Sequence, residues 1–158
     1  MADTRVLRGD AVAQLQADHA QIRDLFRSYH QLGDQPRPSK LELFDLILRE
    51  LRSHAALEED IFYPAVEHGS DPRARKAVAE ALQQHQILRT LISEIRSLSP
   101  DDEGFDAKMS VLRETCERHA AEEDRRLIPI FRSLPPEVQE DVSDRLRSRK
   151  EELNEGIE

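Results

Sequence analysis

His54-Ala55-Ala56-Leu57-Glu58 and His119-Ala120-Ala121-Glu122-Glu123 are two copies of one pattern, His-Ala-Ala-x-Glu, and each has a proline ten positions after its histidine, Pro64 and Pro129. Residues i and i+4 of an α-helix share a face, so each copy offers an imidazole and a carboxylate side by side. About ten helical turns of chain upstream of each copy stands a lone histidine inside an apolar helical stripe, His19 for the first and His85 for the second. The chain thus reads as two halves of one plan. Four imidazoles and two carboxylates on four helices predict a two-metal site inside a bundle.

Outward from these motifs, four long segments carry the 3.6-residue apolar period, separated by short breaker-rich connections. The first runs from about Asp10 to Leu32, with Val12, Leu15, His19, Ile22 and Phe26 on one stripe, and Gly33-Asp34-Gln35-Pro36-Arg37-Pro38 stops it. Ser39 followed by Glu42 has the spacing of a capping box and predicts the start of the second helix. The inner stripe of that helix is Leu43, Ile47, Leu51, His54, Glu58, Ile61 and Ala65. Asp71-Pro72 predicts an N-cap and first-turn proline for a third helix bearing Val78, Ala81, Leu82, His85, Leu88, Ile92 and Ile95. The fourth shows Phe105, Met109, Leu112, Cys116, His119, Glu123, Leu127 and Ile130 at three- and four-residue steps.

Pro64 and Pro129 fall inside helical patterns and predict a kink or an end a turn and a half past Glu58 and Glu123. Short connections favour antiparallel neighbours, so the expected fold is all-α: an up-down-up-down four-helix bundle over residues 1–134. A short extra C-terminal helix over 135–158 follows Pro135-Pro136, with Val138, Val142, Leu146, Leu153 and Ile157 on one side. It either packs across the bundle or pairs with a second copy.

Composition narrows the function classes. The chain has 158 residues, a formal charge of −9 with both signs interspersed, and a single cysteine. The charge opposes nucleic acid or an anionic membrane as partner. One cysteine excludes an internal disulfide framework and any cluster held by several thiolates. No apolar run has the length of a membrane span, and Met1–Arg8 lack the apolar stretch of a secretory signal, so a cytoplasmic location is the default.

A single histidine on an apolar face, or one His-x-x-x-Glu pair, says little. Two buried carboxylates among four imidazoles, at matched positions in both halves, say more, because an unpartnered buried carboxylate is costly. The expected metal ligands are therefore His19, His54, Glu58, His85, His119 and Glu123. Imidazole suits iron, zinc, copper or nickel, and carboxylates bridging two ions suit iron or manganese. His30 lies too far along its helix to join them, His68 sits at a helix C-terminus, and Cys116 reads as a buried, inert thiol. Ligating imidazoles donate their other N–H to a carboxylate or carbonyl, and Glu50, four residues before His54, is the candidate for that role. Glu59, Asp60, Glu122 and Asp124 read as solvated or arginine-paired, any one of them a further such acceptor.

Asp18-His19, His54-Ala-Ala-Leu-Glu58-Glu59 through Tyr63-Pro64, Gln84-His85, and His119-Ala-Ala-Glu-Glu123 through Ile128-Pro129 together resemble the hemerythrin-like, or HHE cation-binding, domain family, over roughly residues 10 to 133. The resemblance implies a four-helix bundle holding two non-haem iron ions, oxo- or hydroxo-bridged and carboxylate-bridged. Glu58 and Glu123 would span the irons, with His19 and His54 on one and His85 and His119 on the other. Oxygen-carrying members have a second histidine four residues after the one on the third helix, where this chain has Arg89. Each iron would then have five ligands and one open position, which suits a ligand touching both, such as peroxide. Arg89 thus moves the expectation from reversible oxygen carriage toward redox reaction or sensing.

The resulting functional expectation is a di-iron protein that binds or reacts with dioxygen or peroxide, with possible catalase-like turnover. The alternative is a non-enzymatic sensor or binding module for oxygen, nitric oxide or iron, with the C-terminal segment as readout. Iron donation to iron–sulfur centres ranks third, and a ferritin-like site is disfavoured because there the glutamate precedes the histidine.

Overall fold

The computed structural model describes residues 10–33 and 37–156. The N-terminal stretch to residue 9, residues 34–36 of the first connection, and Ile157 lie outside the described residues. Secondary structure among those described is wholly helical. The elements are α1 (Ala11–Gln31), α2 (Arg37–Leu57), a π-helical turn (Glu58–Phe62), α3 (Tyr63–His68), α4 (Ala74–Arg96), α5 (Glu103–Glu122), a second π-helical turn (Glu123–Leu127), α6 (Ile128–Arg132) and α7 (Pro136–Glu155). None of these helices is long and apolar enough to cross a membrane.

The two prolines do not end the helical run, and of the kink or end expected from the sequence it is the end that is absent. In an α-helix Pro64 would clash with the carbonyl of Asp60 and leave it without a donor. Here each helix widens for one π turn: the N–H of Tyr63 bonds the carbonyl of Glu58, and that of Ile128 bonds the carbonyl of Glu123. Pro64 and Pro129 then fall in the first turn of α3 and α6, where a missing N–H is harmless. Both π turns begin at a glutamate of the repeated motif.

Helix starts follow local chemistry with two corrections. Asp10 caps α1 by accepting from Val12 N–H at 3.0 Å, and Asp102 caps α5 by accepting from Gly104 N–H at 2.9 Å. The second helix, however, begins at Arg37, so Ser39 lies inside its first turn and is not its cap. Asp71 accepts from Arg73 N–H at 2.9 Å in a turn that precedes α4, and the helix proper starts at Ala74, past Pro72. Leu82, expected on the inner stripe of α4, is 38% exposed.

Two apolar clusters stack along the bundle with the polar motif residues between them. One holds Leu15, Phe62, Val66, Phe131 and Leu146; the other holds Phe26, Ile47, Ile95, Phe105 and Leu112. The C-terminal α7 packs on the bundle, against α1, α2 and the first π turn. It buries Val142, Ser143 and Leu146, and Ser143 Oγ accepts the N–H of Ala11 at 2.8 Å.

Candidate metal centre

All six candidate ligands converge between the two clusters. His54, Glu58, His85, His119 and Glu123 are buried, and the His19 side chain is only 9% exposed. They form two sets that share both glutamates: His19, His54, Glu58 and Glu123, and His85, His119, Glu58 and Glu123. Within each set the ligand atoms lie within 4.8 Å of one another. Glu58 Oε1 is 3.2 Å from both His54 Nε2 and His85 Nε2. Glu123 places Oε1 2.8 Å from His119 Nε2 and Oε2 3.3 Å from His19 Nε2, one oxygen toward each set. His30 and His68 belong to neither set.

The donor set fits cations better than it fits the protein alone. His19 Nε2 and His54 Nε2 are 3.0 Å apart, and His85 Nε2 and His119 Nε2 are 3.1 Å apart. Ligands at right angles on bonds of roughly 2.1 Å are separated by about 3 Å, so these spacings are those of neighbouring ligands on one ion. The outer nitrogens are committed: His54 Nδ1 donates to Asp18 at 3.0 Å, and His119 Nδ1 donates to Gln84 Oε1. Their Nε2 lone pairs therefore point inward. Glu58 Oε2 is buried and has no hydrogen-bond partner, which costs on the order of 1–3 kcal/mol unless a donor or cation meets it.

Without metal, protons take part of the load. Burial opposes charging His54, but the carboxylates of Glu58 and Asp18 outweigh it and hold that imidazole well above the ordinary histidine range. His119 is likewise pushed up to about 10, burial opposing and Glu123 and Glu58 prevailing. Burial would raise Glu58, yet its imidazole neighbours, His54 first, hold it well below the usual carboxylate range. Metal uptake must displace these protons.

Several functional side chains lie beyond the sequence-based set. Tyr63 donates its hydroxyl to Glu123 Oε1 at 2.5 Å, and its oxygen is 3.1 Å from His85 Nε2 and 3.4 Å from His119 Nε2. Burial, then Glu58 and Glu123, push its hydroxyl far above the ordinary tyrosine range, so the metal-free protein keeps it protonated. Asp18 and Gln84 each stand immediately before the lone histidine of their half and hold the motif histidine of the next helix. Glu50 does not take the role expected of it; it accepts from Gln21 at 3.4 Å on the surface. Lys150 of α7 bonds the second oxygen of Asp18, so the C-terminal helix reaches His54 through one carboxylate. Glu59 pairs with Arg89 at 2.5 Å and lies 3.4 Å from His85 Nδ1, which is not aligned to bond it. Burial pushes the Cys116 thiol up to about 12, in keeping with an inert thiol.

A helical bundle with paired His/Glu sets in its core defines a metal-binding module. Residues 10–131 match the family model described as Hemerythrin HHE cation binding domain, and the chain belongs to that family. In fold it is similar to the crystal structure of a hemerythrin HHE cation binding domain-containing protein from Mycobacterium kansasii, a homologue of Rv2633c. The TM-score is 0.76 with 26% identity, over 93% of this chain and 88% of that one. An uncharacterized protein of Mycobacterium tuberculosis is 27% identical over 88% of this chain and 84% of its own length. A Nostoc protein described as a DNA nickase is 24% identical over 90% of this chain, which spans only 40% of that protein.

Proposed function

We propose that this chain is a non-haem di-iron protein that binds or reacts with dioxygen or peroxide, with His19, His54, Glu58, His85, His119 and Glu123 as its metal ligands. The observation that carries the reading is the pair of two-imidazole sets sharing both buried carboxylates. Two iron ions bound there would supply a two-electron exchange with an oxygen ligand. The protein's own part is separable. Asp18 and Gln84 orient His54 and His119 so that Nε2 faces inward. Glu58 and Glu123 supply negative charge that offsets the cations. Tyr63 offers a hydroxyl oxygen beside His85 and His119, which supports a coordinating or proton-holding role in place of the histidine missing at position 89. Arg89 is paired with Glu59 at the wall of the cavity that the cluster's imidazoles line.

The test is direct. Anaerobically iron-loaded protein should hold about two irons per chain, show oxo-bridge charge-transfer bands after oxidation, and evolve oxygen from peroxide. Two bound irons with no reaction toward peroxide or dioxygen would rule this out.

A sensing role has one specific support: the continuous path from His54 through Asp18 to Lys150 on α7. Under that reading, oxygen or nitric oxide binding changes amide exchange in α7, and deleting the helix abolishes the response without loss of metal. The formal charge of −9 disfavours carrying over the DNA activity named for the Nostoc protein.

A further inference from the structure

His85 lies between two consecutive glutamates. Glu58 Oε1 is 3.2 Å from its Nε2, and Glu59 Oε2 is 3.4 Å from its Nδ1. Nε2 faces the other ligands, whereas Nδ1 is buried and has no hydrogen-bond partner. The outer nitrogens of His54 and His119 differ, being bonded to Asp18 and Gln84. A cation on Nε2 fixes the imidazole proton on Nδ1, and an N–H buried there needs an acceptor. Glu59 is the one carboxylate beside it among the described residues, and it stands about 0.4 Å further off than Asp18 does from His54, at 3.4 Å against 3.0 Å.

Arg89 holds Glu59 in that place. The guanidinium comes from α4, four residues past His85 and so on the same helix face, while Glu59 comes from the first π turn. Arg89 Nη2 reaches both Glu59 oxygens, 2.8 Å from Oε1 and 2.5 Å from Oε2. The Arg89 side chain is 51% exposed, so as an ion pair this contact adds little to stability. Its effect is on position, because no other cation holds Glu59 among the described residues. The other half follows the same plan: Lys150 bonds Asp18, which accepts from His54 Nδ1. Each ligand set thus has one cation–carboxylate–imidazole chain behind it, begun by α7 in one half and by α4 in the other.

We propose that Glu59 is the outer acceptor of His85 in the metal-loaded protein and that Arg89 is a positioning residue that keeps it there. Arginine at this place in α4 then supports the ligand one turn before it. This assignment rests on the reading of His85 as a metal ligand and needs neither iron nor a reaction with oxygen.

The experiment loads the protein with zinc(II), a diamagnetic probe, and resolves the affinities of the two positions by competition against a chelator. Glu59→Ala should weaken the position built from His85 and His119 about tenfold or more, with the His19 and His54 position far less affected. Glu59→Gln, which keeps an acceptor oxygen and the volume, should give an intermediate loss. Arg89→Met should weaken the same position several-fold, and Arg89→Lys, a cation like Lys150 in the other half, should recover most of that. Nitrogen-15 spectra of the zinc-loaded protein should show the His85 proton on Nδ1, and Glu59→Ala should move that signal while those of His54 and His119 hold. Equal weakening of both positions, no recovery with lysine, or an unmoved His85 signal would each overturn the assignment. If zinc occupies neither ligand set, the ligand reading falls and this assignment with it. If two zinc ions bind and the Glu59 variants leave both affinities unchanged, this assignment alone fails.

Discussion

Asp18→Asn tests the claim that each half of the site is held by the residue preceding its lone histidine. Asp18 is 3% exposed, accepts His54 Nδ1–H at 3.0 Å through one oxygen, and is bonded by Lys150 at the other. Asparagine keeps the volume but has one acceptor oxygen and no charge, so it can serve His54 or Lys150 but not both. A hydrogen bond to a charged group contributes roughly 1.5–3 kcal/mol and a neutral one about 1 kcal/mol. The difference of about 1–2 kcal/mol corresponds to roughly a five- to thirtyfold loss of metal affinity, near the lower end of the 10–100-fold typical of such outer partners. The loss should fall on the position built from His19 and His54, with the His85 and His119 position far less affected. Gln84→Ala should show the mirror image. Anaerobic competition against a chelator, titrating two equivalents of metal, resolves the two affinities, and the melting midpoint of the metal-free variants controls for folding. Equal weakening of both positions by each substitution would refute the two-half assignment, as would no weakening by either.

Tyr63→Phe should lower the stability of the metal-free protein by about 1–2 kcal/mol in urea unfolding, since it removes the donor to Glu123; an unchanged midpoint would show that the hydroxyl contributes nothing there. The pH dependence of the metal-free fold has a definite sign. His54 and His119 are raised on folding, so their contribution is complete below the ordinary value of 6.5 and is lost as pH rises through the folded values, about 10 for His119. Glu58 is lowered, so its contribution is present above 4.5 and is lost as pH falls through its folded value. Thermal unfolding should therefore give a midpoint that declines from about pH 6.5 to about pH 10; a rise over that range counts against the assignment. Metal occupancy at fixed free metal should fall on acidification, read by proton release during titration. Lys150→Met should weaken the first metal position several-fold with little change at the second, and unaltered affinity would leave α7 a purely structural element.

The bundle was legible because its four long helices each keep a strict apolar period, and because His-x-x-x-Glu is a one-face pattern on any helix. The outer partners were less so. Asp18 and Gln84 act across to the neighbouring helix, and reasoning along one helix pointed instead to Glu50, whose side chain turns to the surface. A signal existed all the same: a polar acceptor precedes the lone histidine in both halves, at matched positions. Lys150 had no such signal, since its role depends on where α7 docks. That docking follows from burying Val142 and Leu146 against the cluster around Leu15 and Phe62, a tertiary fact with no local spacing rule.

Tyr63 escaped the periodic reading for a different reason, and it breaks the symmetry of the two halves. Five α-helical steps would carry it about 140° around the helix from Glu58. A π turn closes on the fifth residue instead, so Tyr63 follows Glu58 on the same face and its hydroxyl reaches the cluster. The turn exists because Pro64 cannot sit in an uninterrupted α-helix at that point. The second half repeats the turn and the proline, but its fifth residue is Ile128, buried and without a polar atom to offer. Beyond the difference between Asp18 and Gln84, the two ligand sets differ by one hydroxyl: the oxygen of Tyr63 lies by His85 and His119, and the corresponding step in the other half ends on a hydrocarbon. On the di-iron reading the two ions are then inequivalent, one with a side-chain oxygen at hand and one without. This part of the asymmetry traces to a single tyrosine-for-isoleucine difference, made effective by the same proline-associated turn in both halves.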